Sequence, residues 1–155
     1  MSYTYDYPRA LNTVDSIIID STTKSRILLI KRGNEPFKNC WALPGGFIEM
    51  DETLEQSVIR ETEEETSLVG IEFKQFKAFG TPGRDPRDRN IVVVFYGFCD
   101  TPELAIAGDD AKELSWFDLN NLPELAFDHE KIVRDLSHHF VTIADELQAH
   151  KNMHH

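Results

Sequence analysis

The sequence has little of the material that builds disulfide frameworks, zinc sites or membrane spans. Its 155 residues include two cysteines, Cys40 and Cys99, which are too few for a disulfide framework and form no zinc-binding pair. No apolar run approaches the ~18 residues of a membrane-spanning helix. The first residues also lack the basic-then-apolar order of a secretory signal. We therefore expect a cytoplasmic protein with reduced thiols and no membrane partner.

Positive charge is also scarce. The chain has 16 lysines and arginines against 27 acidic residues, which gives a net charge of -11. Such a chain repels polyanions, so we expect no nucleic-acid partner. If the substrate is a phosphate ester, then divalent cations and a few placed arginines must supply local positive charge.

The order of apolar segments predicts one α/β domain over residues 1–155. Several segments are apolar and rich in β-branched or aromatic residues, which predicts strands. They are Ser16–Asp20 and Arg26–Lys31, joined as a hairpin, then Phe73–Gly80, Ile91–Cys99 and Leu114–Leu119. Asp51 is predicted to cap a helix from Glu52 to about Ser67, and Asp128 is predicted to cap one from His129 to about Ala149. A mixed sheet with helices on both faces fits this order.

The stretch RETEEETS, residues 60–67, concentrates glutamates. Such a run is most often a solvated helix face. At ~100° per residue, however, Glu61, Glu64 and Glu65 share one face of a helix, and Glu63 points away. Clustered carboxylates repel, and a hard divalent cation such as Mg²⁺ relieves the repulsion because it takes oxygen ligands. Arg60, four residues before Glu64, can orient that carboxylate.

The spacing of these residues resembles a known family signature. Gly46, Glu52 and the run from Arg60 to Glu65 follow G-x5-E-x7-R-E-U-x-E-E-x-G-U, in which U is apolar. This pattern resembles the Nudix box of a family of hydrolases. The resemblance implies an α/β/α sandwich around a mixed central sheet, and hydrolysis of a nucleoside diphosphate linked to another group.

Two positions depart from that pattern. Thr62 stands where an aliphatic residue is usual, and its methyl group should still pack. Ser67 stands where glycine usually ends the helix. A serine reaches the left-handed cap conformation at a cost of about 1 kcal/mol, so another helix ending is an alternative. Neither departure removes a carboxylate.

Further stretches resemble the branch of Nudix proteins that includes ADP-ribose pyrophosphatases. The resemblance runs from about Ile30 to Val133, and its most specific element is Arg84-Asp85-Pro86-Arg87, although Asp88 follows where that branch often has glycine. The planar guanidinium groups of Arg84 and Arg87 suit phosphate or ribose oxygens. The alternative is a solvated loop of Arg–Asp pairs.

Other basic and aromatic residues are open to two interpretations. Arg32 follows a predicted strand and either reaches a diphosphate or lies at the surface. Phe37 and Trp41 either stack on adenine or belong to the core. His129 is interpreted as a structural residue, because it follows a candidate helix cap.

The resemblance implies Mg²⁺- or Mn²⁺-dependent hydrolysis of a small nucleotide, with ADP-ribose split into AMP and ribose 5-phosphate as the leading hypothesis. Glu61, Glu64 and Glu65 would ligate the metals, with the Gly45 carbonyl as a further ligand, and Glu52 would support the junction of loop and helix. Arg60 and Glu64 are assigned to catalysis. The candidates for an added ligand or base are Asp109, Asp110 and Glu113, with Asp110 or Glu113 preferred.

Two rival functions stay open. One is a Nudix hydrolase for NADH, a nucleoside triphosphate or a sugar nucleotide. The other is a sensor that binds ADP-ribose and regulates transcription without hydrolysing it. Regulators in this branch carry a winged-helix domain after the Nudix part, and the roughly 22 residues after Val133 are too few for one, so we expect catalysis. The oligomeric state is open, with a homodimer among the options.

Overall fold

The protein folds around one mixed sheet of seven strands. The computed structural model describes residues 2–108 and 111–153, without the side chains of Lys112, residues 140–144 and Leu147. The strands are β1 Leu11–Asp20, β2 Arg26–Arg32, β3 Trp41–Ala42, β4 Gly45–Phe47, β5 Lys74–Phe79, β6 Asn90–Cys99 and β7 Ala111–Asp118. The helices are α1 Leu54–Thr66, α2 His129–Ser137 and α3 Phe140–Met153, with a 3₁₀ turn at Pro102–Leu104.

The strand order confirms the predicted mixed sheet. It runs β3-β2-β1-β6-β5, with β4 paired to β1 and β7 paired to β2. β1 and β6 are parallel from Leu11 opposite Asn90 to Asp20 opposite Cys99, whereas the other pairings are antiparallel. The predicted hairpin is present as the β1–β2 pair, in which Ile19 lies opposite Ile27.

Helices cover both faces of the sheet, as the sandwich architecture requires. Successive strand residues point to opposite faces, so neighbours in β1 enter different clusters. Ile17 and Ile19 pack with Ile132 of α2, while Val14 packs with Val58 of α1. β1 and β6 are therefore buried on both sides, which explains their nearly continuous apolar sequences. None of the helices in the described part of the chain is long and apolar enough to cross a membrane.

The ends of α1 differ from those predicted. Thr53, rather than Asp51, is the N-cap, because its hydroxyl accepts from the Gln56 amide while the Gln56 side chain accepts from the Thr53 amide. This reciprocal pair is a capping box. At the other end Ser67 does adopt the left-handed conformation, with φ of 65°. Its hydroxyl donates to the Ile106 carbonyl at 3.1 Å, a contact that glycine cannot make.

The predicted last helix is two helices. α2 ends at Ser137, and α3 begins at Phe140. Asp128 precedes α2 but makes no capping hydrogen bond, because both of its oxygens accept from the Arg84 guanidinium. Asp128, which the sequence pattern assigns to a helix N-cap, is instead hydrogen-bonded to Arg84, which is distant in sequence.

Candidate active site

A cavity of about 500 Å³ gathers most of the predicted site residues. Its walls come from β1, the end of β2, β4, one face of α1, the loop before β6 and the start of α2. The predicted site residues among them are Arg32, Gly45, Arg60, Glu61, Glu65, Arg84 and Arg87. Residues far apart in sequence thus meet in one concave surface.

Two glycines allow β4 to lie directly against acidic side chains. A Cβ atom on Gly46 would lie 2.6 Å from a carboxylate oxygen of Glu61, and one on Gly45 would lie 2.1 Å from a carboxylate oxygen of Asp15. The Gly45 amide donates to Glu65 at 3.3 Å. Any side chain at these positions would displace the carboxylates, so the double glycine is a steric requirement of the site.

Glu61 and Glu65 form an acidic pair in the cavity wall. Burial raises the pKa of Glu65 to about 9, and the nearby charges of Glu61 and Asp15 add to the shift. Burial also raises the pKa of Glu61, although the Arg60 guanidinium opposes this. The pair therefore retains a proton near neutral pH. A divalent cation can replace that proton, and the two carboxylates offer the oxygen ligands that Mg²⁺ or Mn²⁺ takes.

Arg60 connects two acidic residues of α1 with Glu52 in the loop before it. Its guanidinium donates to Glu61 at 2.8 Å, to Glu64 at 3.3 Å and to Glu52 at 2.7 Å. Glu64 is held at the outer side of α1, with 46% of its side chain exposed. Among residues 2–108 and 111–153, no three acidic, histidine or cysteine side chains converge closely enough to hold a metal. The cage of three glutamates therefore stays a prediction, of which the structure assembles two members.

Glu52 has the contacts that a supporting role requires. It accepts from Arg60, from the Ser57 hydroxyl at 2.8 Å and from the Glu49 amide at 3.2 Å. The Arg60 hydrogen bond is the main reason that the pKa of Glu52 falls to about 2. Glu52 thus fixes the loop before α1 and the guanidinium that faces Glu61.

Arg87 lies in the cavity wall as part of a polar network. Its guanidinium donates twice to Asp85, at 2.7 and 3.0 Å, and is 39% exposed. Asp85 is buried and also accepts from Asn90 at 3.0 Å. Burial alone would raise the pKa of Asp85, but the hydrogen bonds from Arg87 and Asn90 hold it well below its usual value. The Arg–Asp pair of the alternative interpretation is present, but it lines the cavity.

Arg84 is engaged differently. Only 4% of its side chain is exposed, and it donates to both oxygens of Asp128, at 2.7 and 3.0 Å. This bidentate pair ties the loop before β6 to the start of α2. Arg84 lines the cavity, but much of its hydrogen-bonding capacity is already used.

Arg32 has spare capacity for an anion. Its Nε donates to the Pro36 carbonyl at 2.8 Å, and in the described part of the chain no ion pair involves it. Burial, and then the positive charge of Arg87, lower the pKa of the Arg32 guanidinium. A partly buried cation beside another cation provides a site for a phosphate oxygen.

Asp15 and His129 are cavity residues that sequence reasoning did not assign to the site. His129 Nδ1 accepts from the Leu43 amide at 3.0 Å, so the ring proton lies on Nε2, which faces Asp15 at 3.1 Å. Both side chains are almost fully buried. A structural role for His129 agrees with its burial. It does not account for the position of this side chain in the cavity wall. The sequence signal for Asp15 is an acidic residue directly before the apolar segment Ser16–Asp20.

The two candidate stacking residues, Phe37 and Trp41, have different surroundings. Trp41 packs on the core, with its ring 4.8 Å from that of Phe117, so it follows the core alternative. Phe37 is 37% exposed and lies 4.9 Å from the ring of Phe127. Phe127 lines the cavity, and sequence reasoning gave it no role.

The loop before β7 docks on the end of α1. The Gly108 amide donates to the Glu65 carbonyl at 3.2 Å, and the Ile106 amide donates to the Thr66 carbonyl at 2.8 Å. The candidates Asp109 and Asp110 follow directly and lie outside the described residues. Glu113 is 54% exposed, pairs with Lys31 at 3.4 Å and is absent from the cavity lining.

The mixed sheet between helical layers is an α/β/α sandwich, and one cavity of it brings acidic and basic side chains together. A family model described as the NUDIX domain matches residues 10–136, and the chain therefore belongs to the Nudix family. It is a Nudix pyrophosphohydrolase, because, besides this family match, it is 53% identical to a relative named as an ADP-ribose pyrophosphatase.

That relative is an ADP-ribose pyrophosphatase from Methanocaldococcus jannaschii. The match covers 79% of this chain and 70% of the relative. A second relative is an ADPR responsive transcriptional repressor from Acinetobacter baylyi, which is 32% identical over 83% of this chain. The chain spans 54% of that repressor's length.

Solved structures agree with the family assignment. The NUDIX domain of Shewanella oneidensis NrtR complexed with ADP ribose superposes with a TM-score of 0.76 at 28% identity, covering 88% of this chain and 94% of that domain. A bifunctional NMN adenylyltransferase/ADP ribose pyrophosphatase from Francisella tularensis, complexed with AMP and a manganese ion, has a TM-score of 0.73 at 34% identity. The match covers 87% of this chain and 43% of that one.

Proposed function

We propose that the chain hydrolyses ADP-ribose to AMP and ribose 5-phosphate with Mg²⁺ or Mn²⁺. The observation that carries this proposal is one cavity with Glu61 and Glu65 in one wall and Arg32 and Arg87 in another. Acidic residues suit a divalent cation, and arginines suit the diphosphate that the cation must reach. The ADP-ribose pyrophosphatase relative and the ADP ribose complex of a similar domain support this substrate.

Glu61, Glu64 and Glu65 would hold the metal, with the Gly45 carbonyl as a further ligand. A bound divalent metal lowers the pKa of water and offsets the charge that develops on a leaving phosphate. Arg60 orients Glu61 and Glu64 through its hydrogen bonds to both. Asp110 or Glu113 would supply the added ligand or base.

Arg32, Arg84 and Arg87 would have different roles. Arg32 and Arg87 would bind the diphosphate or the adjacent ribose through guanidinium N–H groups that face the cavity. Arg84 would contribute chiefly by fixing the wall, because Asp128 already occupies its bidentate edge. This arrangement supplies local positive charge in a chain whose net charge is -11.

A substrate panel tests the proposal. The purified chain is incubated with Mg²⁺ or Mn²⁺ and with ADP-ribose, NADH, a nucleoside triphosphate or a sugar nucleotide, and kcat/KM is compared. We expect the highest value for ADP-ribose. A higher value for another nucleotide would reassign the substrate while leaving the enzyme class intact.

A second candidate is an ADP-ribose sensor without turnover, which the name of the Acinetobacter baylyi repressor favours. Calorimetric binding of ADP-ribose with no AMP release would support it. We further propose that the chain is a single domain, as its 155 residues favour, and that it is located in the cytoplasm, as its low cysteine content favours. We also propose that it has no nucleic-acid partner, as its net charge favours. A homodimer stays one option for its assembly, which sedimentation of the purified chain would settle.

A further inference from the structure

Phe127 has a backbone conformation that few residues of its type adopt. Its φ is 54°, in the left-handed region, where a bulky side chain crowds the backbone. Such outliers persist where the surrounding structure requires them, and they cluster at functional sites. Its side chain lines the cavity, so the unusual backbone turns an aromatic ring toward the proposed substrate site.

The Phe127 ring contacts two arginines that come from different parts of the chain. The guanidinium carbon of Arg32 lies 5.0 Å from the ring centroid, and that of Arg87 lies 5.5 Å from it. Both distances are within the range of cation–π attraction. The rings of Phe37 and His129 lie at 4.9 and 5.4 Å and restrict the position of Phe127 further.

A shared ring helps to hold two cations near each other. Arg32 and Arg87 repel, and the charge of Arg87 contributes to the lowered pKa of Arg32. Asp85 pairs with Arg87, but in the described part of the chain Arg32 donates only to a carbonyl and makes no ion pair. The electron-rich ring face offsets part of the repulsion. The Arg32 N–H groups other than Nε–H are then available to an anion in the cavity.

We propose that Phe127 is a positioning residue that holds Arg32 and Arg87 together as the binding site for the diphosphate group of the substrate. Phe127 acts through the two guanidinium groups, since its ring is already surrounded by them and by Phe37 and His129. This role rests on the proposed function only in the choice of a diphosphate as the bound group.

Three substitutions at Phe127 distinguish the effect of its aromatic face from the effects of side-chain volume and backbone conformation. Phe127→Tyr keeps an aromatic face and should behave as the wild type. Phe127→Leu keeps apolar volume but removes the face. Phe127→Gly removes the ring and suits a left-handed backbone, so it should fold even if the leucine variant does not. The matched control is Phe117→Leu, because Phe117 packs with Trp41 outside the cavity.

The first readout is calorimetric binding of inorganic diphosphate to the metal-free chain in EDTA. We expect Phe127→Leu and Phe127→Gly to raise Kd on the order of tenfold, as the loss of two cation–π contacts implies. Phe127→Tyr and Phe117→Leu should stay within about twofold of the wild type. Wild-type affinity in the leucine and glycine variants would overturn the proposal, as would a wild-type chain that binds no diphosphate.

The second readout is steady-state hydrolysis of ADP-ribose. We expect the leucine variant to raise KM by a similar factor on the order of tenfold and to leave kcat nearly unchanged, because the metal-binding face of α1 is untouched. A general loss of packing would instead lower the melting temperature in both leucine variants without a selective rise in KM. If the wild type hydrolysed no ADP-ribose but diphosphate binding depended on Phe127, the proposed function would fail while the positioning role stood.

Discussion

At the scale of single residues, Thr62 illustrates how the core tolerates a departure from the family pattern. Its side chain is buried, and within the described residues its hydroxyl is the buried side-chain polar atom without a hydrogen-bond partner. Together with Ser57, Val58 and Thr66, it forms the buried side of α1. The cost is therefore confined to one unpaired hydroxyl.

Thr62→Val should raise the free energy of unfolding by about 1 kcal/mol, because it removes an unpaired buried hydroxyl and keeps the shape. Urea unfolding measures this. Thr66→Val is the matched control one helical turn later. The Thr66 hydroxyl donates to the Thr62 carbonyl at 2.6 Å and accepts from the Leu68 amide at 3.2 Å, so its loss should lower stability by about 1 kcal/mol. Equal effects in the two variants would contradict this reasoning.

Glu65 gives the metal-free chain a characteristic pH dependence. Burial raises its pKa from 4.5 to about 9, so the folded chain retains a proton that the unfolded chain releases. Stability should therefore fall as pH rises through the window between these two values. Glu65→Gln should flatten that part of the curve. The measurement is urea unfolding in EDTA over a pH series, and identical slopes for the two chains would rule out the raised pKa.

At the scale of elements, α1 presents its acidic residues on two sides. Glu61 and Glu65 face the cavity, whereas Glu64 is held outside by Arg60 and Glu63 is exposed. The helical spacing predicted that Glu61 and Glu65 would meet. It could not predict the orientation of Glu64, because a long side chain chooses among rotamers according to its partners.

Glu64→Gln should abolish most turnover of ADP-ribose, on the order of a hundredfold, if Glu64 turns to the metal. Glu63→Gln is the control, since it changes the same charge on the neighbouring residue and should have little effect. Both variants should fold, because both side chains are exposed. Equal kcat values in the two variants would show that the predicted helical face is wrong.

The loop before β6 shows how neighbouring arginines of one motif differ. Arg87→Ala should raise KM for ADP-ribose, with kcat/KM falling roughly tenfold to a hundredfold for the loss of a charged hydrogen bond. Arg84→Ala should instead lower the free energy of unfolding by about 2–3 kcal/mol, because it leaves Asp128 without its bidentate partner. Kinetics and urea unfolding on both variants separate the roles. Destabilisation by Arg87→Ala without any rise in KM would argue against its contact with substrate.

The sequence predicted elements better than it predicted their connections. The hairpin, the mixed sheet and α1 follow from local apolar patterns. The division between α2 and α3 and the partner of Asp128 depend on contacts with distant residues. The cavity likewise combines a feature that is local in sequence with contacts between distant residues. Its carboxylate motif is local in sequence, whereas Asp15, Phe127 and His129 are recognised only when the fold brings them together.

At the scale of the whole molecule, positive charge is gathered in the cavity of an acidic chain. The chain has a net charge of -11, yet one cavity brings four arginines, Arg32, Arg60, Arg84 and Arg87, into its walls. Two of them are paired with aspartates from the same molecule. These arginines would attract an anion to the cavity, and a bound cation would strengthen that attraction, in a protein whose net charge otherwise repels nucleotides.

The most direct measurement is product analysis after incubation of the wild-type chain with ADP-ribose and Mg²⁺ or Mn²⁺. We predict equal amounts of AMP and ribose 5-phosphate, and a loss of at least about a hundredfold when Glu61→Gln and Glu65→Gln are combined. The double variant should also lose the rise in melting temperature that the cation gives the wild type. Absence of AMP at high enzyme concentration, or undiminished turnover in the double variant, would contradict the assignment of this cavity to ADP-ribose hydrolysis.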